Sequence, residues 1–168
     1  AFAKENGRKA SGSSSSGGDI KELPKVLPDP DGEEADMSKP VQVYILMGQS
    51  NMLGAGRVSG GNEGALENAC KNKKLYPYLI DDADNWTVRQ DVRNVRVNGR
   101  TMKVHQNNWL TPSGNIGPEI GIGHYLGHAV EAPVLVLKSC TGNRSLGWDL
   151  LPPGSKQYEF EGRIYPGY

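Results

Sequence analysis

Val41–Met47 reads VQVYILM, a nearly continuous apolar run rich in β-branched residues, set between Pro40 and Gly48. Seven residues suit a strand better than a helix, and a run that is apolar at both odd and even positions predicts a strand buried in a sheet. A second run of this kind starts at Val134 and continues to Leu137, within PVLVLK. Between them, Ile116–Val130 reads as a helix. Pro118 fits a first helical turn, Glu119 complements the positive end of the dipole, and Ile122, Tyr125, Leu126, Ala129 and Val130 recur at helical spacing before Pro133 stops the run. Strand, crossover, helix, strand is the order of a parallel sheet covered by helices, so the expected class is α/β. Ser59–Gly64 reads as loop, Ala65–Lys74 as a short helix, and Trp86–Val97 as a peripheral strand pair.

The chain ahead of Pro40 has a different character. Ser11–Gly18 is SGSSSSGG, a flexible linker composition, and Asp19–Asp36 carries seven acidic residues, two lysines and Pro24, Pro28 and Pro30. Residues 1–40 are therefore expected to be a solvated tether, leaving 41–168 as the domain. The sequence begins Ala1-Phe2-Ala3, a small-x-small pattern like the end of a secretory signal, which with the tether predicts a secreted, periplasmic or cell-envelope protein. Nineteen basic residues balance nineteen acidic ones, so no general basic excess marks a nucleic-acid binder. No apolar run nears the ~18 residues that span a bilayer, and two cysteines are too few for a disulfide framework.

The chemistry-bearing feature is Gly48-Gln49-Ser50-Asn51-Met52, directly after the first strand. Parallel sheets place their ligands at the carboxyl ends of strands, and a helix starting there aims N–H groups and a positive dipole at the serine, an arrangement suited to an acyl-transfer oxyanion. A serine in this position also serves as a simple N-cap, and position alone favours the cap. Met52 replaces the second glycine of a Gly-x-Ser-x-Gly elbow, which disfavours the α/β-hydrolases. The glycine-rich stretch 48–61 lacks a Gly-Lys-Ser/Thr ending, so it is no phosphate cradle.

YILMGQSNMLGAG resembles the first signature block of the SGNH hydrolases, in the carbohydrate-esterase branch of sialate O-acetylesterases and acetylxylan esterases. The resemblance continues at Ile116-Gly117-Pro118-Glu119, then through Lys138-Ser-Cys-Thr-Gly-Asn-Arg-Ser-Leu-Gly-Trp-Asp149 and Leu151-Pro-Pro-Gly154. It implies a flavodoxin-like three-layer α/β/α sandwich with Ser50 as nucleophile, and with the N–H groups of Ser50 and Gly142 as oxyanion donors. Gln49, Asn51, Asn143 and Arg144 are the candidates for bracing the turn or contacting an acetylated carbohydrate substrate. No metal or organic cofactor is implied.

The family's further Gln-Gly-Glu-type block and C-terminal Asp-x-x-His do not occur before Tyr168. The expectation is that acid and base lie beyond it, and a sheet lacking its last strands would leave a bare edge and an exposed face. A noncatalytic carbohydrate-binding or scaffold protein on a degenerate esterase fold is the alternative. Among the histidines present, His105 is expected in a surface loop. His124, His128 and Glu131 share a helical stripe that reads as a solvated face rather than a zinc site. Cys70 and Cys140 have no spacing that argues for a disulfide, and Trp86, Trp109, Trp148 and Tyr165 are candidates for stacking on a sugar.

Overall fold

The computed structural model describes residues 22–98, 101–145, 151–152 and 154–165. The first apolar run forms β1 (Gln42–Gly48) and leads through Gln49 into the short helix α1 (Ser50–Leu53). β2 (Gly56–Arg57) pairs antiparallel with β5 (Asn115–Ile116). The long strand β3 (Arg89–Asn98) turns back into β4 (Val104–Leu110). Helix α2 (Glu119–Ala129) then returns the chain to β6 (Val134–Cys140), and a hairpin of β7 (Tyr158–Phe160) and β8 (Arg163–Tyr165) follows. The main sheet has the order β1-β6-β3-β4; the first three strands are parallel and β4 is antiparallel to β3. This is a mixed α/β protein with a mostly parallel central sheet.

Three expectations need correction. The segment Trp86–Val97 is no peripheral strand pair: its residues from Arg89 onward form a single strand inside the main sheet, beside β6. A register irregularity between Arg89 and Arg93 breaks the alternation, so Arg89, Asp91 and Val92 are all buried. Ala65–Lys74 coils as expected, but its centre, Asn68–Asn72, is a π-helical turn that sinks Cys70 into the core.

The third correction concerns the N-terminal segment. It forms no strand or helix from residue 22 to 40, as its prolines dictate, yet it is not wholly solvated. Leu27 is 2% exposed and joins the core cluster of Cys70, Tyr78 and Leu79, while the Lys25 carbonyl accepts a hydrogen bond from the Tyr125 hydroxyl at 3.2 Å. An extended chain needs no ladder to insert one leucine, whose burial is worth about 1.5–3 kcal/mol. Average composition hides such a single anchor.

α2 covers one face of the sheet. Its buried residues are Glu119, Ile120, Gly123, His124 and Ala129; of the stripe read from Ile122, Tyr125, Leu126, Ala129 and Val130, the last two are buried and the first three only half-buried. Glycines decide this: a Cβ on Gly123 would overlap Leu110, and one on Gly127 would lie 2.5 Å from the Asp91 carboxylate and 2.6 Å from the Arg89 guanidinium. The helix lies closest to the sheet where it has no side chains. Arg89 is 1% exposed and is held by both oxygens of Asp91 at 2.8 and 2.5 Å, by Asp31 at 3.0 Å and by the His124 carbonyl at 3.4 Å.

The opposite face is bare among the described residues. Val41, Val43, Ile45 and Met47 are 51–68% exposed, so β1 is buried on one side only. Register continues the apolar surface across the sheet, with Val43 beside Leu135 and then Arg93 and Trp109, and Ile45 beside Leu137 and then Val95. No helix among the described residues is long and apolar enough to cross a membrane.

Candidate active site

β1 and β6 run parallel with Gly48 opposite Cys140, so the Gln49–Ser50 turn and the Thr141–Gly142 loop leave neighbouring strands at the same end. The Thr141 N–H donates to the Gly48 carbonyl at 3.3 Å and ties the two together. Gly48 has φ of 154°, and a Cβ there would lie 3.0 Å from the Met52 Cβ, so glycine lets α1 fold back tightly over the strand end.

Ser50 is exposed and is the first residue of α1, ahead of the helical hydrogen-bond ladder, which starts with the Leu53 N–H on the Gln49 carbonyl. Its hydroxyl donates to the Gln49 Oε1 at 2.8 Å. Gln49 therefore braces the hydroxyl, and Asn51 is exposed with no hydrogen bond among the described residues. Gly142 is half-buried, its N–H has no acceptor among the described residues, and a Cβ would meet only Leu53 at 3.8 Å. Among the described residues, packing and backbone thus leave this loop open. Asn143 follows in the left-handed region (φ 56°), and both it and Arg144 are exposed.

The three sequence blocks meet behind this site. Gly54 (φ 89°) and Gly117 touch backbone to backbone: a Cβ on Gly54 would lie 2.5 Å from both the Gly117 nitrogen and the Ile116 carbonyl oxygen. Glu119 accepts the Gly117 N–H at 3.0 Å with one oxygen and binds the Lys138 ammonium at 2.5 Å with the other. Both charged groups are buried, Lys138 to 1% exposure and Glu119 to 4%. Block one packs on block two, and block two is ion-paired to block three.

Residues 40–159 match the family described as carbohydrate esterase, sialic acid-specific acetylesterase. The chain belongs to this family. No curated protein and no solved structure matches it. The family's activity is hydrolysis of acetyl esters on carbohydrate, so an acetylated carbohydrate is the substrate class that membership implies. The matched span contains the Gly48–Asn51 turn, the Gly117–Glu119 block and the Thr141–Arg144 loop.

Beside this turn of the esterase-family chain lies a cavity of about 270 Å³, lined by Leu53 of α1, by Cys140, Thr141 and Gly142, and by Arg96 and His105. Ser50 is not one of its walls. His105 lies in β4 rather than in a loop. Between Arg96 and Val97 the pairing steps from Gln106 to Val104, leaving His105 as the extra residue of a bulge. Neither Arg96 nor the strand position of His105 was read from the sequence. The alternation of Val95 and Val97 around Arg96 was the available signal, but it does not say which strand end the arginine reaches.

The other candidates lie elsewhere. His124 is fully buried, with neither ring nitrogen hydrogen-bonded among the described residues, and burial aided by Arg89 lowers its pKa to about 3. It is not on a solvated face, because the glycines of α2 bring it onto the core against Tyr78. His128 and Glu131 line a separate, acidic cavity with Asp31, Glu34 and Asp36. Among the described residues no three His, Cys, Asp or Glu side chains form a metal-binding group. Cys70 and Cys140 are both free thiols, each pushed up in pKa mainly by burial. Trp86 packs on the core, Trp109 lies under the Arg93 guanidinium at 4.9 Å, and Trp148 is outside the described residues. Tyr165 ends β8.

Proposed function

We propose that the chain is a serine esterase that removes O-acetyl groups from carbohydrate through an acetyl-Ser50 intermediate. The Ser50 hydroxyl attacks the acetyl carbonyl carbon, and the oxyanion is held by the N–H groups of Ser50 and Gly142. The sugar alkoxide leaves with a proton, and water then releases acetate from Ser50. The observation that carries this reading is the hydrogen bond from Thr141 to Gly48, which holds the serine turn and an unencumbered glycine loop together at the carboxyl ends of adjacent parallel strands. Gln49 positions the hydroxyl but cannot take its proton, since an amide oxygen is too weak a base.

The family resemblance assigns that proton to a histidine of an Asp-x-x-His pair. His105 is the one histidine of the sequence that lines the cavity beside Gly142, so it is the internal control for that assignment. The reading carries with it the full three-layer sandwich and an exported location, where acetylated polysaccharides are found. Replacing Ser50 by Ala should abolish labelling by a fluorophosphonate and reduce acetate release from O-acetylated carbohydrate by at least about a thousandfold. His105→Ala should leave both nearly intact. Undiminished turnover in Ser50→Ala would sink the assignment.

A further inference from the structure

The helix that carries Ser50 cannot hold its own shape. α1 is one turn long, buries no residue and has no side-chain cap among the described residues, and a single turn is far too short to be stable alone. Its geometry must come from what it leans on. At its end Gly54 touches Gly117, where a Cβ on Gly117 would lie 2.9 Å from the Gly54 Cα and 3.1 Å from the Met52 carbonyl oxygen. Gly117 is fixed in turn by the Glu119 carboxylate, which accepts its N–H at 3.0 Å. The other oxygen of that carboxylate holds Lys138, which lies on β6, the strand that delivers Gly142.

We propose that Glu119 and Lys138 act as one clamp that sets the distance between the Ser50 and Gly142 N–H groups, which makes both of them positioning residues for acyl transfer. The inference rests on the esterase reading above and names what keeps that site in shape. From the ion pair one path runs through Gly117 and Gly54 to the serine helix, and the other runs along β6 to Thr141 and Gly142. Two donors on different loops hold one oxyanion only if neither loop drifts, and a displacement of about 1 Å costs about a hundredfold in rate. Across the front the loops are tied by the Thr141 N–H on the Gly48 carbonyl at 3.3 Å, a long neutral bond. Behind them the clamp is a charge-assisted bond of 2.5 Å between two buried groups, and it is the stiffer link. A hydrophobic pair in place of a buried ion pair is often as stable, so geometry is what this pair supplies.

The test is the double variant Glu119→Gln with Lys138→Met in the full chain. It keeps an acceptor for the Gly117 N–H and leaves no buried charge at this point, so it should unfold at nearly the urea concentration of the parent. Fluorophosphonate labelling of Ser50 should nevertheless slow by about a hundredfold. Amide hydrogen exchange read by NMR should rise about tenfold or more at Leu53, Gly54 and Thr141, whose bonds shape the two loops, and stay unchanged at the buried sheet residues Val92 and Val136. A pair that served stability alone would move the urea midpoint and all five amides together, and that result would overturn the proposal. Labelling at the parent's rate, or unchanged exchange at Leu53, Gly54 and Thr141, would overturn it too. If the parent itself is not labelled at Ser50, the esterase reading falls, and the exchange pattern then decides on its own whether the clamp exists.

Discussion

Two cations are buried beneath α2, one near each end of the helix, and they are secured differently. Near its amino end Lys138 is held by Glu119 alone among the described residues, and that single pair joins two sequence blocks behind the serine turn. Further along, Arg89 is held by Asp91 through two oxygens, by Asp31 and by the His124 carbonyl. The site end of the molecule depends on one contact, whereas the other end is redundant. Local redundancy, more than burial itself, should set how each end responds to substitution.

The largest expected effect follows from removing the single contact. Lys138→Met leaves the Glu119 carboxylate buried without its cation, which costs about 3–5 kcal/mol. Urea unfolding should show this loss, and fluorophosphonate labelling should fall with it. A loss below about 1 kcal/mol would mean that the two ends are equally redundant. A pH-dependent effect, small at neutral pH, belongs to His124, beside Arg89. Its folded pKa of about 3 lies below the ordinary 6.5, so the unfolded chain binds a proton that the folded one does not. Stability from this group is complete above pH 6.5 and falls by about 1.4 kcal/mol per pH unit on acidification towards pH 3. His124→Phe, which keeps a ring against Tyr78, should flatten the pH dependence of unfolding over that window. An unchanged slope would place the titration elsewhere. The smallest effect is expected from Asp31→Asn. The Asp31 side chain is 31% exposed and Arg89 keeps Asp91, so the cost should be about 1 kcal/mol or less. A larger loss would make Arg89 as dependent on one partner as Lys138 is.

Much of the architecture was written in local sequence. Two short apolar runs and a Pro-Glu helix start suffice for parallel β1 and β6 with α2 between them, since chain length and turn residues leave few other arrangements. The serine turn was legible for the same reason: a glycine and a polar run directly after a strand lie at that strand's carboxyl end. What stayed hidden depends on register. β3 carries Arg89, Asp91 and Arg96 and reads as a weak peripheral strand, because its charges look solvated until their partners on α2 and the N-terminal segment are known. Leu27 was invisible in a segment whose composition argues for solvent. Arg96 and His105 meet at the cavity only through a bulge between strands, which no spacing within either strand encodes.

The uncovered face of the sheet has a colloidal consequence. Val43, Ile45 and Met47 stand on the outermost strand of the main sheet among the described residues, so an apolar strip adjoins main-chain groups able to pair with another strand. The sequence has a formal net charge of zero at neutral pH, so little long-range repulsion keeps two such faces apart. Concentration rather than temperature should therefore limit how this chain is handled. A lysine at Ile45, far from Glu119 and Lys138 on the opposite face, should extend that limit without disturbing the helix-covered side.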